Sequence, residues 1–183
     1  KKKMDIIVKN LCKTYDRNRV LDHFSCTFRE KKMTCIMGKS GIGKSTLLSI
    51  LMGLEKADEG TVSGMEHQKI SAIFQENRLF ENLDAVTNIH ITTGKTKEEI
   101  AGFLKEMELD DVAGKPVSEY SGGMKRRVAI ARALLAEYDI LIMDEPTNHL
   151  DLHATEWLEN YVQKFRGTVV AISHDRYFLE RVV

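Results

Sequence analysis

Eight residues, Gly38-Lys39-Ser40-Gly41-Ile42-Gly43-Lys44-Ser45, fit the pattern G-x-x-x-x-G-K-[ST], between an apolar run and a helical one that opens on Lys44, Ser45 and Thr46. Each residue type has a physical job. The glycines let backbone N–H groups wrap phosphate oxygens, and the N-terminus of the following helix adds about half a positive charge. Lys44 supplies a mobile cation for β- and γ-phosphates, and Ser45 a hydroxyl for Mg²⁺. The pattern points to a nucleoside triphosphate site. Further along, Asp144 and Glu145 close the apolar run 140–143. A carboxylate at the C-terminal end of a parallel strand faces the ligand crevice. Asp144 can therefore hold Mg²⁺ through water, while Glu145 orients and polarises an attacking water. Adjacent residues on a strand end point in different directions, which suits two separate jobs. Ser121-Gly122-Gly123, ahead of a helix, offers an N-cap hydroxyl and uncovered amides for an anion.

These residues need rigid elements to hold them. The opening reads as strands over 5–11, 20–28 and 33–37, and Phe24, Cys26 and Phe28 alternate with polar residues as on a half-buried strand. A helix is expected over 44–52, short strands near 60–63 and 70–74, and a polar helical stretch over 76–120, clearest at 96–107. A helix over 122–136 carries Met124, Val128, Ala131 and Leu135 on one face. Strand 140–144, helix 152–164, strand 168–173 and a helix from 176 complete the chain. The runs 35–37, 140–143 and 169–172 are apolar without alternation, as expected of parallel strands covered on both faces. The fold class is α/β: a mostly parallel sheet flanked by helices, with N-terminal antiparallel strands. One domain over 1–183 is expected, with a nucleotide-binding core at 1–75 and 121–183 and an inserted helical subdomain at 76–120.

The 183 residues suit one ordinary domain. The hydrophobic fraction of 43% and charged fraction of 30% exclude a disordered chain. Lys+Arg 27 balance Asp+Glu 27, so no global field draws the chain to nucleic acid or anionic lipid. No apolar run reaches the roughly 18 to 20 residues that span a bilayer. Lys1-Lys2-Lys3 is basic with no apolar segment behind it, which reads as an appended remnant or a solvated end and not as a secretory signal. Cys12, Cys26 and Cys35 lack metal-type spacing and read as reduced thiols in or near a core, which points to the cytoplasm. His23, His67, His90, His149 and His153 read as structural or solvated, and Lys125-Arg126-Arg127 as a solvated helix face.

The order of motifs (phosphate loop, Gln75, Ser121-Gly122-Gly123, Asp144-Glu145, Leu150-Asp151, His174) resembles the nucleotide-binding domain of the ATP-binding cassette (ABC) superfamily over nearly the whole chain. The resemblance implies a P-loop ATPase using ATP and Mg²⁺. It implies that Tyr15 stacks on adenine, and that Gln75 ligates Mg²⁺ beside Ser45 and Asp144 and couples the site to the helical subdomain. Ser121, Gly122 and Gly123 would bind the γ-phosphate held by a second subunit. Glu145 would be the general base, His174 would contact the γ-phosphate, and Asp151 would belong to the loop crossing the dimer interface. The family's usual Leu-Ser-Gly-Gly-Gln becomes Tyr120 to Met124, with the anion-binding centre kept.

Two branches share the wording. Phe74 to Leu79, Asn82 to Ile89 and Ser121 to Arg127 resemble importers of the nitrate, sulfonate and taurine type, whose helical segment after Gln75 receives a short helix from the membrane partner. From Glu145, the stretches Glu145 to Leu152, Trp157 to Glu159 and Ser173 to Leu179 resemble the ABC-F branch of soluble twin-cassette proteins that act on ribosomes. A mosaic is one expectation, and a fragment another, since transporter subunits usually continue beyond the histidine helix. The favoured reading is an ATP-hydrolysing transporter subunit: a head-to-tail homodimer, cytoplasmic, held peripherally at the inner membrane face by permease subunits, with no nucleic-acid partner. The alternatives are an ABC-F-type ATPase fragment acting on the ribosome, or an ATP-binding module without turnover.

Overall fold

The computed structural model describes residues 4–183, so the basic run 1–3 lies outside the described residues. The chain opens with β1 (Ile6–Tyr15) and β2 (Asn18–Phe28), an antiparallel pair, followed by β3 (Met33–Ile36) and α1 (Lys44–Leu51). Strands β4 (Glu59–Ser63) and β5 (Ile70–Ile73) precede the helical insertion, formed by α2 (Ala85–Thr93), α3 (Lys97–Glu106) and two 3₁₀ turns. Then come α4 (Gly122–Leu135), β6 (Ile140–Asp144), α5 (Leu152–Lys164), β7 (Thr168–Ile172) and α6 (Arg176–Val182).

The expected elements are present, and β1 runs four residues beyond expectation. Its hairpin turns on Asp16 and Arg17, both with positive φ (44° and 69°), a conformation that carries no glycine flag in the sequence. Residues 59–63 join this hairpin, giving the antiparallel order β2-β1-β4.

The second sheet is wholly parallel, in the order β3-β7-β6-β5. Its apolar runs divide between two cores by the period of two along a strand. Ile140, Ile142, Val170 and Ile172 face α1 and the antiparallel sheet. Leu141, Met143, Val169 and Ala171 face α4, α5, α6 and the helical insertion. Ile89, Ile100 and Leu104 of the insertion are buried in that second core, so 76–120 packs as part of the molecule and not as an appendage.

The insertion's helices start on local chemistry. Asp84 caps α2 through the Thr87 N–H at 2.7 Å, and Thr96 and Glu99 form a capping box on α3. Among the described residues, no helix is long and apolar enough to cross a membrane.

Candidate functional site

Sheet order builds the site. The carboxyl ends of β3, β7, β6 and β5 lie side by side, so the segments leaving those strands come into one row: the phosphate loop, then His174, then Asp144 and Glu145, then Gln75. A cleft of about 450 Å³ lies there, lined by Ser40, Gly41, Gly43, Lys44, Ser45, Thr46, Gln75, Asp144, Glu145 and His174 of the expected residues. Val20, Asn148 and Ile172 line it as well. Asn148 escapes sequence reading because a turn residue two places before Leu150 has no spacing signal of its own.

The loop is held by contact. A Cβ on Gly43 would lie 2.4 Å from the Val20 carbonyl oxygen, so the hairpin can pack on the loop only over glycine, at φ 96°. Gly43 is also the N-cap of α1, which places the amides of its first turn at the cleft. The Lys44 ammonium donates to the carbonyls of Gly38 and Lys39, both at 2.7 Å, so the cation is tied across the loop it serves. Gly38, Lys39 and Ile42 complete the loop without lining the cleft.

Glu145 follows β6 with φ 48°, a left-handed conformation costly for a glutamate and typical of functional sites. Its N–H donates to the Ile172 carbonyl at 2.9 Å, extending the β6–β7 pairing by one bond. The carboxylate is held twice by one residue: Oε2 accepts the His174 N–H at 3.1 Å, and Oε1 lies 3.2 Å from His174 Nε2. Glu145 is 13% exposed and His174 60% exposed, so the carboxylate is fixed and sheltered while the imidazole reaches solvent.

Ser45, Gln75 and Asp144 bring a hydroxyl, a carboxamide and a carboxylate to the same cleft. Such an all-oxygen donor set fits Mg²⁺, which takes few protein ligands and keeps several waters.

Ser121, Gly122 and Gly123 stand apart from this cleft, at the N-terminus of α4. Ser121 caps the helix through the Met124 N–H at 3.2 Å and is exposed, as is Gly122. Tyr15 ends β1, is 40% exposed, and has the Lys13 ammonium 5.1 Å over its ring; it does not line the cleft.

The solvated face expected at Lys125-Arg126-Arg127 is corrected by the structure. Arg126 is 1% exposed. Its guanidinium donates to the carbonyls of Phe74 and Glu145, the latter at 2.8 Å, with longer contacts to Gln75 and Pro146. Arg127 donates to the Met107 carbonyl and to Asp151 Oδ2 at 2.8 Å, and Lys125 pairs with Glu81. The signal was available: Arg126 lies on the helical stripe 126, 129, 130, 133, whose other members are apolar. A buried arginine there must meet acceptors, and strand-end carbonyls provide them. Burial also pulls its guanidinium below the usual range.

Fold and cleft together define a P-loop nucleotide-binding domain. A family model described as ABC transporter matches residues 21–148. The chain belongs to this family, as an ABC ATP-binding domain. It is 32% identical over 216 residues to the uncharacterized ABC transporter ATP-binding protein YfmR of Bacillus subtilis, covering 95% of this chain and 34% of that protein. It is 35% identical over 182 residues to ABC transporter F family member 5 of Arabidopsis thaliana, covering 96% of this chain and 26% of that one. It is 32% identical over 193 residues to the sulfate/thiosulfate import ATP-binding protein CysA of Nephroselmis olivacea, covering 94% and 56%. The chain thus spans between about a quarter and just over half of these relatives. Among solved structures, the dimeric bacterial ABC transporter cassette MJ0796 is 29% identical with a TM-score of 0.83, covering 97% of this chain and 91% of that one.

Proposed function

We propose that this chain is the ATP-binding and ATP-hydrolysing subunit of an ABC membrane transporter, driven by nucleotide-dependent dimer closure. The observation that carries it is the separation of two groups of residues. The phosphate loop and Glu145 share a cleft, while the capped anion-binding end of α4 faces solvent elsewhere. A second copy arranged head to tail supplies that end to the first copy's ATP. The solved dimer of the related cassette supports such pairing.

In this reading Lys44 and the loop amides hold the phosphates, and Tyr15 stacks on adenine. Glu145 accepts a proton from the attacking water, held in place by its two contacts from His174, whose exposed imidazole faces the γ-phosphate. Ser45, Gln75 and Asp144 would hold Mg²⁺, which when bound neutralises charge on the phosphate oxygens. Ser121 and the amides of Gly122 and Gly123 on the partner stabilise the transferred phosphoryl group.

A groove of about 530 Å³ between the core and the helical insertion supports the transporter reading. Leu54 and Phe80, more than half exposed, line it with Arg78 and Thr92. An apolar groove of this kind suits a short helix from a membrane subunit on the cytoplasmic side. The relatives of the F family favour a second reading, a soluble ATPase acting on the ribosome.

ATPase rate measured against protein concentration, wild type beside Glu145→Gln, tests the proposal. The rate should rise faster than linearly and vanish in the variant, which should accumulate a dimer with ATP. A variant that stays monomeric with ATP and Mg²⁺ overturns the composite site. Co-sedimentation of the ATP-loaded variant with ribosomes would instead select the second reading.

A further inference from the structure

On the far side of β1 from its main core contacts, three strands bring a thiol, an imidazole and a carboxylate together. Cys12 on β1, His23 on β2 and Glu59 on β4 each offer one ligand atom, all within 4.8 Å of one another. We propose that these three residues form a metal site for Zn²⁺ or a similar thiophilic divalent cation, separate from the nucleotide cleft.

The backbone is bent to make this cluster. Between Leu11 and Lys13, β1 spends one residue, Cys12, while β2 spends two, Asp22 and His23. The extra residue is a β-bulge, and His23 adopts φ 47° in it, which re-aims its side chain. A second bulge lies between Lys9 and Cys12 against β4, with Asn10 at φ 48°. Gly60 makes this one possible, since a Cβ there would lie 2.4 Å from the Asn10 carbonyl oxygen. Cys12 and Glu59 are direct cross-strand partners, so their side chains share a face. Irregularities on both sides of Cys12 therefore converge on one sulfur.

The distances suit a tetrahedral ion. Bonds of about 2.3 Å to sulfur and 2.0–2.1 Å to nitrogen place the two ligand atoms about 3.6 Å apart at a tetrahedral angle. Cys12 Sγ lies 3.6 Å from His23 Nδ1. A thiol–imidazole hydrogen bond alone would give a similar length; the Glu59 carboxylate, brought beside the pair by strand register, supplies a third ligand atom. Among the described residues Glu59 enters no ion pair. The His23 backbone N–H, 3.3 Å from Sγ, orients the sulfur, and the far ring nitrogen, Nε2, lies 3.8 Å from Asp22 Oδ1. That oxygen accepts from Arg19 at 2.9 Å, so it lies near the ring without a hydrogen bond to it. Three protein ligands leave the fourth position to water. On binding, the metal–sulfur bond replaces the S–H bond and the proton leaves to solvent.

Metal-stripped chain is titrated with Co²⁺ in excess Mg²⁺, which keeps the oxygen cleft out of the reading, and the sulfur-to-cobalt charge-transfer band is followed. One equivalent should bind, Zn²⁺ should displace it, and Zn²⁺ should raise the thermal midpoint. Cys12→Ser should abolish the band. The surface variants His23→Ala and Glu59→Gln, which spare the buried thiol, should each weaken binding by more than about tenfold. No charge-transfer band, or a band that survives Cys12→Ser through Cys26 or Cys35, overturns the proposal. So does binding indifferent to His23→Ala, which would leave a thiol–imidazole hydrogen bond only.

Discussion

At Glu145, both oxygens are held by one neighbour, through a backbone N–H and a side-chain nitrogen of His174. The two contacts should separate on mutation. His174→Ala removes the imidazole but keeps the N–H to Oε2, so the carboxylate stays aimed. We expect kcat to fall about 10²-fold, less than in Glu145→Gln, with ATP affinity little changed, as single-turnover and binding measurements would show. Lys44 has a different duty. Lys44→Ala removes a charge-assisted contact worth about 1.5–3 kcal/mol, so ATP affinity should drop roughly 10- to 150-fold by fluorescence titration. An unchanged affinity would remove the phosphate-loop assignment.

Helix α4 is bonded to three segments that border the cleft or the loop after Glu145. Arg126 holds the carbonyls at the ends of β5 and β6, Arg132 donates to the carbonyls of Asn77 and Arg78, and Arg127 reaches Asp151, which caps α5. The helix capped by Ser121 is thus bonded to the segment around Gln75 and to the loop after Glu145. Arg126→Met should leave several buried carbonyls without donors, at about 1–3 kcal/mol for an unsatisfied group, measured by urea unfolding. Arg126→Lys should not restore stability, because a point donor cannot span two strand ends as a planar fork does. Arg132→Leu should raise hydrogen exchange over 74–80 while leaving β6 protected. These arginines are hard to see in the sequence because a basic triplet on a helix is usually a solvated face. Only the stripe shared by Arg126, Ala129, Ile130 and Ala133 marks one of them as buried.

For the whole molecule, the proposed head-to-tail pairing, in which Ser121 stands apart from its own cleft, predicts that activity is a property of pairs. A Lys44→Ala chain keeps a sound α4 end, and a Ser121→Arg chain keeps a sound phosphate loop. Each alone should be inactive. Mixed in equal amounts, half the dimers are hybrids with one complete site of two, so about a quarter of wild-type activity should return. No recovery, with both chains folded, would show that each copy works alone.

The phosphate loop, the strand-end carboxylates and the two-faced apolar strands were legible in the sequence because each arises from local chemistry. A glycine-rich turn before a helix binds anions wherever it occurs, and an apolar run without alternation must be covered on both sides. Tertiary structure alone decided the rest. Strand order β3-β7-β6-β5 set Lys44, His174, Glu145 and Gln75 in one row, although they lie up to 130 residues apart. Bulges and left-handed residues turned Glu145 toward His174 and His23 toward Cys12, without glycine to announce them. Burial turned Arg126 from a surface charge into a clamp. Such features arise from pairing register and packing between distant segments, and no window of sequence contains both partners of the contact.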